Sequence, residues 1–261
     1  MHRCFVRPED WDNDAVRLRP DVAHHLYRVY RAREGDEVAV FDGRGREGIA
    51  RVGAVPAGKM RAPCVLTLLR QSRAQPLPAR IALIQALPKG KRMDWIVEKA
   101  VELGIAEILP VLTERVVTRL DSDRRAERAS RWQRIAEGAA RQCGTAWLPE
   151  VAPPVPLEAR LAEAGRFDLF LAGSLDRAAR PLRGVLRESL AARPGSVAVL
   201  IGPEGDLTPE ESRAAVAAGA IPVCFGPLTM RLETAALYAM SVVVYEFRGV
   251  ELEERSPAAG P

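Results

Sequence analysis

Two stretches constrain this chain more than any others: Leu200-Ile201-Gly202-Pro203-Glu204-Gly205-Asp206 and Phe225-Gly226-Pro227-Leu228-Thr229-Met230-Arg231-Leu232-Glu233-Thr234. Each follows a short apolar run that reads as a buried strand, Val197 to Ile201 and Ile221 to Phe225. Each then turns on Gly and Pro and leads into a helical pattern. A strand, a Gly-Pro turn and a helix, repeated this closely, predict an α/β sheet with a crevice at its strand ends. Glycine allows positive φ and close backbone approach, and proline fixes the lead-in. The turns therefore expose backbone N–H and C=O groups to a ligand lying on them. Taken alone, Gly202-Pro203-Glu204-Gly205 also suits an ordinary strand-to-helix connection. The second turn, and the crowding of Arg231, Glu233 and Thr234 at the start of the last helix, favour a site. Glu233 there is also good electrostatics for a helix N-terminus.

The chain ahead of these turns changes character once. Residues 1–75 predict a small β-rich domain. Val16-Arg17-Leu18 is a short strand. Asp21 to Arg31 fits one helix, with Asp21 as its cap and Val22, Leu26, Val29 and Tyr30 on one face. Glu37 to Phe41 alternates as a strand, Asp42-Gly43 signals a hairpin, Gly48 to Val52 returns, and Cys64 to Leu69 follows. Closely spaced strands of this kind suggest a small barrel. Gln71 to Pro78, with two prolines, reads as a linker. Residues 76–250 then alternate strand and helix: Arg80 to Ala86, a basic turn at Pro88 to Arg92, a helix Met93 to Leu103 closed by Gly104, and a strand Ile105 to Leu112. A long helix, Ser122 to Cys143, carries Trp132, Ile135 and Ala139 as its core stripe. A short helix Leu157 to Ala164, a strand Phe167 to Ala172 and a helix near Pro181 to Ala191 precede the two turns. The last helix is expected from Glu233 to about Phe247, with a polar, frayed tail over 251–261. This alternation predicts a mostly parallel sheet covered by helices on both faces.

Composition narrows the chemistry. Four cysteines, Cys4, Cys64, Cys143 and Cys224, are far apart and form no C-x-x-C pair, so free thiols in a reducing, cytoplasmic setting are expected. Three histidines argue against a His/Cys zinc site, and no metal is expected. No apolar run approaches a membrane span, and the first residues lack the apolar stretch of a secretory signal. Residues 1–75 hold 14 Lys/Arg against 10 Asp/Glu, whereas the remainder is balanced at 24 of each. The basic excess is thus N-terminal and rich in Arg, which suits phosphate and base contacts or simply a solvated face. His24, His25, Arg28 and Arg31 on successive turns of the lone helix carry the same two readings. There is no P-loop and no G-x-S-x-G elbow, and no nucleophilic triad or metal set. Chemistry here would rest on positioning and charge control.

With these residues in view, Ile201-Gly202-Pro203-Glu204-Gly205 followed by Phe225-Gly226-Pro227 and Met230-Arg231-x-Glu233-Thr234-Ala235 resembles the paired C-terminal motifs of the SPOUT methyltransferases. More narrowly it is similar to the RsmE family, which methylates uridine N3 in small-subunit ribosomal RNA. Further blocks agree in order. Arg3-x-Phe5-Val6, His25-Leu26-x-x-Val29-x-Arg31, Gly35-Asp36 and Phe41-Asp42-Gly43 are similar to that family's N-terminal PUA-like domain. Lys89-Gly90-Lys91-Arg92-Met93-Asp94, Glu98-Lys99-Ala100-x-Glu102-Leu103-Gly104, Thr113-Glu114-Arg115 and Ala140-Arg141-Gln142-Cys143-Gly144 resemble blocks of its methyltransferase domain.

The resemblance implies an N-terminal PUA-like small β-barrel and a C-terminal SPOUT α/β methyltransferase domain closed by a trefoil knot, a rarity among folds. It implies S-adenosyl-L-methionine as cofactor, held by Ala172, Ile201, Gly202, Pro203, Gly205, Phe225, Gly226, Leu228, Met230 and Thr234. It implies a homodimer, with the apolar residues Ala235, Ala236, Tyr238, Ala239, Val242 and Val243 of the last helix serving an interface or an internal core. Arg231 and Arg7 are candidates to stabilise charge on the uracil oxygens. Glu204 is either the base that takes the N3 proton, given burial, or a holder of the turn. His25, Arg28, Arg31, Lys89, Lys91, Arg92 and Arg141 are candidate RNA contacts. Leu228, Asp206, Val116 and Thr145 depart from the family pattern, which usually has a second Gly at position 206. These departures bear on RNA contacts more than on a pocket built of main chain. Two other functions stay open: a non-catalytic RNA-binding factor in ribosome assembly, and a SPOUT methyltransferase acting on a different RNA.

Overall fold

The structure, a computed structural model, describes residues 1–53, 64–115 and 121–255. Val116 and the last part of the expected tail, 256–261, lie outside the described residues. The chain divides into two compact units. One comprises Met1–Pro76 with Glu137–Leu148, and the other Leu77–Ala136 with Pro149–Pro261.

The first unit contains strands β1 (Arg3–Phe5) and β2 (Ala15–Leu18), a short helix α1 (Pro20–His24), and strands β3 (Glu37–Phe41), β4 (Arg46–Val52) and β5 (Cys64–Arg73). They form a sheet in the order β1-β3-β4-β5-β2, parallel between β1 and β3 and antiparallel elsewhere. Its core gathers Cys4, Val16, Leu18, Leu26, Val40 and Leu66. The β3–β4 loop shows why residues 137–148 belong here. Asp42 Oδ1 accepts the N–H groups of Arg44 and Arg46 at 2.7 and 2.9 Å. Gly45, at φ +91°, packs so closely on the Trp147 ring that a Cβ would lie 2.4 Å from it. Gly45 N–H donates to Ala146 O at 3.0 Å, and Leu148 N–H donates to Gly43 O at 2.9 Å.

The expected helix over Asp21 to Arg31 differs in two ways. Pro20 takes the first helical position, which its fixed φ favours, so Asp21 lies inside the first turn and caps nothing. The helix then widens into a π turn over His25–Val29. The wider turn rotates the buried face onto Val22, Ala23, Leu26 and Tyr27, and leaves Val29 56% exposed. Strand β5 also runs on to Arg73, which shortens the expected linker.

The second unit opens with β6 (Arg80–Ala86), α2 (Arg92–Glu102) and β7 (Glu107–Leu112), then α3 (Ser122–Cys143), whose last turns belong to the first unit. Short strands β8 (Glu150–Val151) and β9 (Val155–Pro156) lead to α4 (Leu157–Leu161) and β10 (Leu169–Gly173). Next come β11 (Arg180–Pro181), α5 (Leu182–Leu190), β12 (Ser196–Ile201), α6 (Pro209–Ala217), β13 (Ile221–Cys224) and α7 (Leu232–Arg255). The sheet is parallel, in the order β11-β13-β10-β12-β6-β7-β8, with β9 also on β7. Alternate residues of the strands face a core shared with α4 and α6, including Ile84, Val111, Leu157, Ala198, Leu200 and Ala215. The opposite face packs on α7, which packs in turn on α2.

Helix α7 runs two turns beyond the expected end near Phe247, to Arg255. Its apolar residues are partly buried within the unit and partly exposed. Ala236, Ala239 and Val243 are buried, while Tyr238 and Tyr245 are 40% and 76% exposed. No helix among the described residues is long and apolar enough to cross a membrane.

Buried Arg248 fastens α7 to the rest of its unit. Its guanidinium and Nε donate to the carbonyls of Pro78 (3.0 Å), Leu103 (2.9 Å), Ala79 (3.3 Å) and Gly104 (2.8 Å). Two of these oxygens lie at the C-terminal end of α2, where the helix dipole favours a cation. Burial without a carboxylate partner lowers its pKa to about 10. Replacing Arg248 by Met strands four carbonyls, and the unfolding free energy measured in urea is expected to fall by about 3 kcal/mol.

Candidate functional site

The site grows from three neighbouring strand ends. In register, Ala172 of β10 stands opposite Leu200 of β12 on one side and Pro222 of β13 on the other. The three strands therefore deliver their following loops to one place. The loops are 174–179, 202–208 and 225–231, and together with Arg92 at the start of α2 they enclose a cavity of about 800 Å3. That volume falls within the range of small-molecule and cofactor sites.

Small residues and paired side chains set the shape. A Cβ on Gly173 would lie 2.9 Å from the Phe225 ring, so glycine is what lets that ring pack onto the end of β10. Asp206 adopts φ +62°; its Oδ1 accepts Leu207 N–H at 2.8 Å and its Oδ2 accepts Leu175 N–H at 3.0 Å. Arg115 donates to the carbonyls of Gly205 and Asp206 from behind the turn. Thr208 caps α6 in a capping box with Glu211, which is buried. Glu211 Oε1 also accepts Glu114 N–H at 2.8 Å. The segment after β7 is thereby tied to the turn after β12. Leu175 and Leu228 are 61% and 78% exposed on the cavity walls.

Arg92, Asp176, Arg177, Glu204, Asp206 and Arg231 are the charged side chains that line the cavity. Arg92 pairs with Glu204 Oε1 at 2.8 Å and lies 3.9 Å from Glu233. Lys89 N–H also donates to Glu204 Oε1, at 3.2 Å. Glu233 Oε2 is buried and has no hydrogen-bond partner. Arg231 lines the cavity, is exposed, and has no acidic partner among the described residues.

Of the residues expected at a cofactor site, Ile201, Gly202, Pro203, Phe225, Gly226, Leu228 and Met230 line the cavity. Ala172, Gly205 and Thr234 do not. Ala172 is buried in β10 beside lining Gly173, the Gly205 carbonyl faces Arg115, and Thr234 is exposed on the first turn of α7. Glu204 and Arg231 are at the cavity; Arg7, in the first unit, is half-exposed with Glu9 at 3.9 Å. Glu204 is a third exposed, so the burial that a base role called for is slight. Among the expected RNA contacts, Lys89 and Lys91 are exposed on the basic turn, whereas Arg92 is committed to carboxylates. His25 and Arg141, remote in sequence, come together in the first unit. Partial burial and the charges of Arg141, His24 and His2 lower the pKa of His25. His2 stacks on Tyr30 at 4.0 Å and His25 meets the same ring edge-on at 4.6 Å. Arg28, Arg31 and Arg141 have no acidic partner among the described residues. Thr145, one of the departing positions, has its carbonyl bound by Arg3 at 3.0 Å.

The sequence reading missed the third wall, 174–179, and the parts of Arg92 and Arg115. The available signal was the end of the Phe167–Ala172 run in Gly173-Ser174, the same strand-to-glycine pattern as the two turns. Among the described residues no group of three or more His, Cys, Asp or Glu is placed to hold a metal.

Known proteins share this arrangement. A family described as the RNA methyltransferase domain matches residues 75–244, and one described as the RNA methyltransferase PUA domain matches residues 18–60. The chain is 30% identical to Ribosomal RNA small subunit methyltransferase E of Synechocystis over 243 residues, covering 93% of this chain and 77% of that one. It superposes on the protein of the same name from Neisseria gonorrhoeae, solved bound to S-adenosyl methionine, with TM-score 0.78 and 30% identity over 93% of this chain and 96% of that one. A Legionella pneumophila protein solved with bound SAM matches at TM-score 0.82 and 30% identity, over the same shares of the two chains. The methyltransferase match takes in every strand and loop that builds the cavity, and the named relatives align along nearly the whole length. The chain therefore belongs to the RsmE family of RNA methyltransferases.

Proposed function

We propose that the chain transfers a methyl group from S-adenosyl-L-methionine to N3 of a uridine in small-subunit ribosomal RNA. The observation that carries this reading is the cavity at the ends of β10, β12 and β13, whose apolar and glycine-rich walls are joined by the Glu204 carboxylate, held by Arg92, and the Arg231 guanidinium. Relatives of this family are named for small-subunit ribosomal RNA, and two solved relatives hold the methyl donor. The trefoil knot and the pairing of two copies belong to the same proposal. Exposed Tyr238 and Tyr245 on α7 support the pairing.

The residues present fit the cofactor. Ile201, Pro203, Phe225, Leu228 and Met230 offer apolar surface to its adenosyl part, and Gly202 and Gly226 leave the backbone open to hydrogen bonding. When bound, it supplies a methyl group on a sulfonium and leaves as the neutral thioether. The chain must do the rest. Uridine N3 is an imide nitrogen and a poor nucleophile while protonated. Of the carboxylates that line the cavity, Glu204 is the one assigned to take that proton. Arg231 is free to stabilise negative charge on a uracil oxygen as the N3–H bond breaks. Arg92 holds Glu204 in place through its 2.8 Å contact. Lys89 and Lys91, with Arg28, Arg31 and Arg141 of the first unit, supply cations for the phosphate backbone.

The deciding experiment incubates the protein with small ribosomal subunits and labelled S-adenosyl-L-methionine, then maps methylated nucleotides by mass. Label on N3 of one uridine is expected; label elsewhere, or none, defeats the assignment. Arg231→Ala is expected to cut kcat by about 100-fold or more while leaving donor affinity within a few-fold. Glu204→Gln keeps the shape but cannot take a proton, so kcat should again fall about 100-fold. Wild-type turnover in Glu204→Gln would reduce Glu204 to a holder of the turn. The alanine triple variant at Arg28, Arg31 and Arg141 should bind RNA more weakly, and its salt dependence should flatten by roughly two to three charges.

A further inference from the structure

The backbone at position 206 is of the kind that favours glycine. Asp206 sits at φ +62°, in the left-handed region where a side chain is normally a cost. Aspartate is among the few residues that tolerate the region, because its short carboxylate can hydrogen-bond locally. Here the carboxylate does more than that. Oδ1 accepts Leu207 N–H at 2.8 Å within the same turn, but Oδ2 accepts Leu175 N–H at 3.0 Å, on the loop that follows β10.

That second bond joins two walls of the cavity. The loop leaves the sheet after Ser174, whose N–H donates to Val223 O at 2.9 Å. Asp176 N–H then donates to Ser174 Oγ and Ala178 N–H to Asp176 Oδ1, so the loop is otherwise braced only on itself. Leu175 N–H points away from that local bracing, to Asp206. A glycine at 206 would keep the backbone and lose both acceptors. Gly202 leaves room for the carboxylate, since a Cβ there would lie 3.2 Å from Asp206 Oδ1, the oxygen bound to Leu207 N–H.

We propose that Asp206 is a positioning residue for the methyl donor: its carboxylate clasps the loop after β10 to the turn after β12, and so sets the spacing of two cavity walls before the donor arrives. The inference rests on the cavity being the S-adenosyl-L-methionine site. Pre-set walls save the ordering cost that a loose loop imposes at binding. Asp206 also lines the cavity, so its charge could act directly on the donor's sulfonium. S-adenosylhomocysteine, a neutral thioether of nearly the same shape, separates the two effects.

The test uses the full chain with Asp206→Gly and Asp206→Asn. Both keep the left-handed backbone. Glycine removes both acceptors; asparagine keeps one oxygen and presents an amide donor where Leu175 N–H needs an acceptor. Binding of S-adenosyl-L-methionine and of S-adenosylhomocysteine is measured by calorimetry. Amide hydrogen exchange is followed over residues 173–179 in the free protein, alongside the steady-state constants. Both variants should bind both ligands about tenfold more weakly. They should raise the donor KM with kcat at saturating donor nearly unchanged, and exchange faster at Leu175. Wild-type affinity in both variants, or wild-type exchange at Leu175, overturns the clasp. Loss confined to the sulfonium ligand overturns it in favour of direct charge attraction. If the unaltered chain binds neither ligand, the cavity assignment fails and this role falls with it. Faster exchange at Leu175 would then still show that the contact orders the loop.

Discussion

Hydrogen bonding of β10 to β12 on one side and β13 on the other is the constraint on which the site depends. From β10 the chain first lays down β11 at the sheet edge and then crosses to β12, on the other side of β10. It then returns over β10 to lay down β13 on the far side. Where the order of a parallel sheet reverses in this way, the loops at the strand ends part and leave a crevice. Three loops separated in sequence by some thirty and then twenty residues are thereby brought level, with Ala172 facing Leu200 and Pro222 across the ladders. The apolar interiors of the strands fix that level, because a shift by one residue would exchange the side chains fitted to the α4 and α6 core with those fitted to the α7 side.

The crevice is mostly main chain, so its few charges are divided by task. Arg92 stands between two carboxylates, close to Glu204 and farther from Glu233. Such a partly exposed pair adds little to stability, and its worth lies in orientation. Arg231 is left without a carboxylate, which keeps a cation available to an incoming ligand. Arg115 is held behind the turn by backbone carbonyls and does not enter the cavity. Three arginines in one neighbourhood thus serve as bracket, free charge and buttress, according to which oxygens lie within reach.

Much of this was legible in the sequence because it follows from periodicity and punctuation. Apolar runs marked β6, β12 and β13. Gly104 marked the end of α2, and the bounds of α3 are those that its pattern suggests. What escaped was set by contacts between distant residues. The π turn at His25–Val29 depends on packing and leaves no mark in a 3.6-residue pattern. Arg248 reads as a surface residue until the carbonyls of Pro78, Ala79, Leu103 and Gly104 are found around it. The third cavity wall begins in an unremarkable Gly173-Ser174, and only the position of β10 between the two recognised strands gives it meaning. Within the site, the turns were visible as shapes, while the partners of Arg92, Arg115 and Asp206 were not.

The first unit is not continuous in sequence. Trp147 fills the space over Gly45, and the segment around it returns hydrogen bonds to the β3–β4 loop. During synthesis, then, the β sheet of residues 1–76 emerges with one of its packing surfaces still unmade. It is completed only after β6, α2, β7 and α3 have been translated. The N-terminal unit is first to be written and cannot be first to finish. A nascent chain halted between residues 76 and 148 would expose the uncovered loop to chaperones and proteases. The timing of α3 therefore bears on the yield of folded protein as well as on its final form.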